Sequence, residues 1–321
     1  MKQYERVVEV MRRRSGTVTA VATVVLLGGL VIVLAGRWGQ FGTAIATAPW
    51  WTLAIAAVLH IGSLVARSEA WNVCVRAAGG TVGRRQIYRA ASFGYVGNLV
   101  NGQFGFAMRI AALRRSAPRE TPKALALATT EVPILIIEAT LAALTSFTRI
   151  GPLGWPGWAP VAACVGMLAL MEGLRRLSLR YQRGWGQGLA VLRDAPGRWR
   201  IIALVVGAIC AQITRNWLLL QASGVNASVL DATAVLIAVA VLSPLPLGPG
   251  VGASAAVLIL GTNGVAAVAA AGVLLTATGA AGALGYAGWA MADRLWSARS
   301  RLALKHASTS SLTPSRLEAS K

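Results

Sequence analysis

The chain has 321 residues, 55% of them hydrophobic and only 13% charged, with a mean hydropathy of +0.60. A soluble domain carries about 25% charged residues, so this composition excludes a soluble enzyme and a disordered chain and indicates a polytopic membrane protein. The 31 Lys and Arg outnumber 11 Asp and Glu, a net charge of +20. In so apolar a chain, that excess marks cytoplasmic loops under the positive-inside rule, and no nucleic-acid partner is expected.

Residues 1–15 are polar and basic and carry Arg12-Arg13-Arg14, which places them inside. The apolar run from Thr17 to Ala35 is too long for a cleavable signal and predicts the first transmembrane helix. The second span covers Thr43–Ala66, with Trp50 and Trp51 as anchors near its outer end. An inside loop follows with Arg67, Arg76, Arg84, Arg85 and Arg89. Further spans are predicted over Ala124–Phe147, Ala159–Leu174 and Ile201–Leu220, and the most basic loop, Arg175 to Arg200, joins the last two. A final apolar stretch, Val265–Met291, leads into Arg294, Arg299, Arg301 and Lys305. The Ser/Thr-rich tail beyond residue 306 is expected to be disordered.

Two segments do not fit a plain crossing. Ala90–Leu113 contains Gly94, Gly97, Asn98, Asn101, Gly102, Gln103 and Gly105, with basic clusters on both sides. A single crossing would leave one cluster outside, so the charge rule predicts a re-entrant hairpin entering from the cytoplasm. Val229–Thr262 is broken by Ser243-Pro244-Leu245-Pro246-Leu247-Gly248-Pro249-Gly250 into two arms, each too short to span. It is predicted as a second hairpin, entering from outside. The fold class is therefore all-α integral membrane, about six spans plus two oppositely oriented re-entrant helical hairpins. Both termini lie in the cytoplasm, and only Arg37 and Arg149 fall outside, with Arg215 inside a span. The chain divides into a basic N-terminus (1–15), a transmembrane domain (16–292) and a basic, partly disordered cytoplasmic tail (293–321).

A charge at the bilayer centre costs about 2.5–3.5 kcal/mol on insertion scales, so each one needs a partner or a function. Glu131 and Glu138 lie almost two turns apart on one face of a span, and Arg109 sits on the returning arm of the first hairpin. Arg215 shares a face with Gln212 and Asn216. Two readings stay open: the arginines neutralise Glu131 or Glu138, or they hold an anionic headgroup through bidentate contacts to phosphate. Asn98 and Asn101 serve either a ligand or the hairpin backbone. His60 reads as a satisfied interior residue, and Glu69 is expected to pair with Arg67 or Arg76. The returning arms start just after Gly102–Gly105 and Gly248–Gly250, so helix N-termini near mid-bilayer favour an anion there. The two tips are expected to converge on one cavity.

Cys74, Cys164 and Cys210 form no CxxC pair, and His60 and His306 are too few for a His-rich metal site. With no GxxxxGKS/T or HExxH, no enzyme activity, cofactor or metal is expected.

Three stretches resemble one family. They are Arg67-x3-Trp71-x4-Arg76-x2-Gly79, then Gly94-x2-Gly97-Asn98-x2-Asn101-Gly102-x2-Gly105-x3-Arg109-x3-Leu113 with Ala126-x4-Glu131, and finally Pro246-x-Gly248-Pro249-Gly250-Val251-Gly252. Together they resemble the flippase-like, lysylphosphatidylglycerol synthase transmembrane domain family, whose signature positions fall on Asn98, Gly102, Gly105, Arg109 and Glu131. Phe106, Asn101 and Ala253 depart from the family pattern, and two of these departures remove an acid. The resemblance implies a multi-pass protein of the cell membrane that binds and flips an anionic lipid or lipid-linked intermediate. The substrate-binding set expected on this basis is Asn98, Asn101, Gly102, Gly105, Arg109, Glu131, Arg215, Gly248 and Gly250. The alternative is a non-transporting subunit that anchors or presents lipid to a separate glycosyltransferase or synthase partner.

Overall fold

The computed structural model describes residues 38–99, 102–146, 156–242, 256–257, 260 and 265–310. Among these residues all regular structure is helical. The predicted first span Thr17–Ala35, Asn101 at the first hairpin turn, and the Gly248–Gly250 break lie outside the described residues.

The first two helices are α1 (Trp38–Ala46) and α2 (Trp50–Ala77). The sequence places one span over Thr43–Ala66, but the structure divides it at Thr47-Ala48-Pro49. Pro49 occupies the N-cap of α2 with φ −62° and ψ 131°. It restricts the residue before it to extended backbone and lacks the N–H that would continue α1. At its other end α2 runs past Ala66 to Ala77, so Arg67 and Arg76 are helical rather than looped. It ends where Gly79 adopts φ +84°. The Gly79 N–H donates to Arg76 O (2.9 Å) and the Gly80 N–H to Val75 O (3.0 Å), the paired bonds of a Schellman cap.

Next come α3 (Arg84–Asn98) and α4 (Gly102–Ser116), antiparallel and 15 residues each. At 1.5 Å per residue each arm is about 22 Å long, short of the ~30 Å hydrocarbon core. Glycines let the arms touch. A Cβ on Gly97 would lie 2.7 Å from Gly105 Cα, and one on Gly94 would lie 2.8 Å from Arg109 Cβ.

The next span, Ala124–Thr145, is interrupted, with α5 (Ala124–Thr129) and α6 (Val132–Ser146) either side of Thr130-Glu131. Pro133 causes the break, because it has no N–H to give to Thr129 O and crowds that carbonyl. The local bonds tighten accordingly, with Thr130 N–H donating to Leu127 O at 3.2 Å and Glu131 N–H to Ala128 O at 3.4 Å.

The peripheral α7 (Trp158–Arg180) presents Val161, Val165 and Leu168 outward, as a lipid-facing helix does. A 3₁₀ segment, Gly184–Leu192, leads into α8 (Ala195–Ala222), whose N-cap Asp194 accepts from Gly197 N–H at 3.0 Å. Short α9 (Val229–Leu242) starts with a capping box between Ser228 and Asp231. Last is α10 (Val265–Ser310), which continues past Met291, so the basic stretch Arg294–Lys305 is helical.

Among the described residues five helical stretches are long and apolar enough to cross a membrane: Trp50–Ala77, Ala124–Thr145, Trp158–Arg180, Ala195–Ala222 and Val265–Ser297. They overlap the last five of the predicted spans. One end of the bundle gathers the basic loops. There Thr81 N–H meets Glu120 O (3.1 Å), Gly79 approaches Gln187, and Arg89 pairs with Asp293 across α3 and α10. Both α3 and α4 therefore open onto this same basic end.

Candidate functional site

The last turn of α3 reaches well along α2 from the basic end of the bundle. The Tyr95 hydroxyl, one turn before the end of α3, donates to Leu64 O at 3.1 Å. Leu64 stands 13 residues before the end of α2 at Ala77, about 20 Å along a helix axis from the basic end. Tyr95 also meets Ser68 Oγ (3.3 Å), which accepts from the Tyr286 hydroxyl at 3.2 Å, tying α2, α3 and α10 together.

Two turns into α4, Arg109 forms an ion pair with Glu131, and each side chain is only 12% exposed. Glu131 occupies the break between α5 and α6. Arg109 also lies over the ring of Trp71, 4.5 Å from its centroid, a contact that stabilises a desolvated guanidinium. Trp71 is fully buried and donates Nε1–H to Thr130 Oγ1 at 3.0 Å, beside the same break. Trp71 of α2 and Glu131 at the α5–α6 break thus hold Arg109 from two sides. The second acid of the span, Glu138, pairs with Arg67 at 2.8 Å. Arg67 and Trp71 lie one turn apart on α2, a spacing that puts them on one face because the helix continues beyond Ala66.

Of the residues singled out from sequence, Asn98 and Gly105 meet where the two arms pack, Gly102 opens α4, and Arg109 and Glu131 pair two turns further along that helix. Gly105 packs directly against Asn98 Oδ1 and Gly94 O, so its missing side chain is what lets Asn98 sit there. Asn101, Gly248 and Gly250 lie outside the described residues, as does the expected meeting of the two hairpin tips.

Arg215 belongs to a different cluster. It donates to Leu275 O, to Thr278 Oγ1 (2.9 Å) and to Gln212 Oε1 (3.1 Å), between α8 and α10. Gln212 in turn bridges to Ser63 (2.8 Å) and to His60 Nδ1 (3.2 Å) on α2. Among the described residues no carboxylate pairs with Arg215, so neutral dipoles hold this 6%-exposed cation. Glycines make room for the cluster, since a Cβ on Gly282 would lie 2.6 Å from His60.

Glu69 pairs with neither Arg67 nor Arg76. Its carboxylate accepts from Arg84 Nε (2.9 Å), Tyr88 Oη (2.9 Å), Asn72 Nδ2 (3.2 Å) and Arg200 Nη2 (2.8 Å). Arg200 lies 131 positions away in the chain. No local spacing reports such a contact.

The model of the family described as the lysylphosphatidylglycerol synthase TM region matches residues 18–287. The chain belongs to this family. The match contains the whole hairpin, the broken α5–α6 span and the Arg215 cluster. No curated protein matches the sequence at a significant level. The family assignment and the five apolar helices together describe a multi-pass helical membrane protein tied to lipid handling. Among the described residues no group of three or more His, Cys, Asp or Glu is arranged to hold a metal.

Proposed function

We propose that this protein binds the headgroup of an anionic lipid or lipid-linked intermediate at the α3–α4 turn and passes it between leaflets. The observation that carries the reading is the buried Arg109–Glu131 pair where the returning arm of the hairpin meets a broken span. Non-helical backbone at membrane depth is tolerated where protein or a wet cavity covers it. In transporters such breaks form the central site. We read the hairpin as re-entrant because its two short arms open onto the same basic end. That end is cytoplasmic by the positive-inside rule, which puts both termini inside and the protein in the cell membrane.

In this mechanism a headgroup phosphate exchanges with Glu131 for Arg109. The guanidinium offers two parallel N–H donors to phosphate as it does to carboxylate. Trp71 holds the plane while the partner changes. Glu131, released, is the negative charge that expels the headgroup again. The reading assigns no covalent step to the protein.

Reconstitution in vesicles with a panel of fluorescent lipids tests this. Arg109→Lys keeps the charge and loses the bidentate fork, so transport of the preferred anionic lipid is expected to fall roughly tenfold or more in a protein that still folds. Transport equal to wild type by Arg109→Lys, or no lipid moved by either protein, overturns the reading.

The closed Arg67–Glu138 and Arg109–Glu131 pairs favour a second reading, in which locked helices anchor lipid for a separate glycosyltransferase or synthase. A protein that binds anionic lipid without moving it, and activates such an enzyme, supports that one.

Topology is checked by cysteine labelling on a background lacking Cys74, Cys164 and Cys210. Gly157→Cys is expected to react with an impermeant reagent on intact cells, and Arg183→Cys only after permeabilisation. Labelling of Arg183→Cys from outside reverses the orientation.

A further inference from the structure

At the basic end, away from the hairpin turn, a cleft of about 270 Å³ is lined by Glu69, Asn72, Val73, Arg76, Arg84 and Arg200. Glu69 forms its floor, only 8% exposed, and Arg84 and Arg200 flank it, each 62% exposed. The carboxylate is saturated. One oxygen accepts from Arg84, Tyr88 and Asn72, the other from Arg200. Neutralising one buried carboxylate needs one guanidinium, yet three line this cleft. Among the described residues the Arg76 guanidinium has no hydrogen-bond or ion-pair partner.

The cleft therefore carries two positive charges in excess, and Glu69 acts within it as a positioning residue that sets two guanidiniums side by side. Arg84 spends Nε on Glu69 and one terminal nitrogen on Tyr88 (3.1 Å), and Arg200 spends one terminal nitrogen on Glu69, so each keeps free N–H donors. Converging guanidinium donors are the arrangement that recognises phosphate.

A second observation narrows the ligand. Asn72 is 4% exposed and gives its amide N–H to Glu69, but its Oδ1 is buried with no donor facing it. An unmet buried acceptor costs about 1–3 kcal/mol, and a ligand hydroxyl or amine would supply the missing donor. Val73 is the one apolar residue in the lining, so the cleft suits a polar headgroup rather than an acyl chain. Its volume lies just under the ~300 Å³ where small-molecule sites begin.

We propose that this cleft is a second anion site, which binds a phosphate ester bearing a neighbouring hydroxyl or amine. Arg76, Arg84 and Arg200 grip the phosphate, and Asn72 Oδ1 accepts from the adjacent donor. The ligand is either a lipid headgroup or a soluble phosphate ester. The site is independent of Arg109.

The test uses the full-length protein in phosphatidylcholine nanodiscs, with calorimetric titration of glycerol 3-phosphate and of methyl phosphate. Glycerol 3-phosphate is expected to bind, and more tightly than methyl phosphate, which has no hydroxyl for Asn72. Arg76→Gln should weaken it roughly tenfold or more with thermal stability unchanged, since Arg76 supports no other residue. Arg109→Lys, which still folds, should leave this binding as it is, which separates the cleft from the reading of the Arg109 site.

Nanodiscs containing phosphatidylglycerol identify the source. Loss of glycerol 3-phosphate binding there, restored by diluting the anionic lipid, assigns the cleft to lipid headgroups, and persistence assigns it to a soluble ester. No binding in phosphatidylcholine nanodiscs, binding indifferent to Arg76→Gln, or equal affinity for the two esters overturns the proposal.

Discussion

Glu131→Gln is expected to destabilise the folded protein by about 3–5 kcal/mol, the cost of leaving one half of a buried ion pair uncompensated. Arg109→Gln should cost a similar amount, because both side chains are 12% exposed and water screens neither well. The two losses should not add. With both charges removed, no buried ion remains to be desolvated, and the double variant should recover at least half of the loss seen in either single one. Trp71 modulates the asymmetry. After Glu131→Gln the guanidinium still lies over the indole, 4.5 Å from its centroid, whereas after Arg109→Gln the carboxylate has no comparable contact. Arg109→Gln is therefore the more damaging change. Thermal unfolding in detergent of the wild type, both single variants and the double variant measures the cycle. Strictly additive losses would show that the pair does not couple the hairpin to the broken span.

Gly105→Ala is expected to open the hairpin. A methyl group there runs into Asn98 Oδ1 and into Gly94 O, one of them a side chain and the other backbone. Asn98 can turn away. The Gly94 carbonyl belongs to α3 and moves only if the arms separate, which also pulls Arg109 from Trp71 and Glu131. Overpacking of this kind costs about 1–3 kcal/mol, and more where backbone must shift. Adding Asn98→Ala should relieve only the side-chain part. Gly157→Ala, where nothing lies within 4 Å, is the matched control and should be neutral. Thermal stability of the three variants, with lipid transport as a second readout, checks the ordering. Full rescue of Gly105→Ala by Asn98→Ala would mean that the arms are not held at backbone contact.

The hairpin is legible in the amino-acid sequence. Basic clusters flank it on both sides, and its glycines recur at Gly94, Gly97 and Gly105, the spacing of two helices in close contact. Arg109 and Glu131 are also legible as charges in need of partners, because a span tolerates few charges and those present must meet something; that they meet each other is not. The break at Glu131 has a local signal in Pro133, but the hydropathy of Ala124–Phe147 runs continuously across it and hides it. The length of α2 has no such local signal. Arg67, Ser68, Glu69 and Asn72 look like a loop when counted as polar residues. They are helical because Glu138, Tyr95, Arg84 and Arg200 satisfy them from three other elements.

Hydropathy and charge, read along the chain, determined that this protein is a multi-pass helical membrane protein, where most of its spans lie, and which of its ends gathers the arginines. Those properties follow from the transfer free energy of each segment, which depends on its own residues. Which charge meets which was decided only by the tertiary structure. Glu69 took Arg84 and Arg200 in place of Arg67 or Arg76, Arg67 took Glu138, and Arg215 took carbonyl, hydroxyl and amide oxygens. In a low-dielectric interior a charge is held by whichever groups the packed helices bring within hydrogen-bond reach, and such a group can lie 204 positions away, as Asp293 does from Arg89.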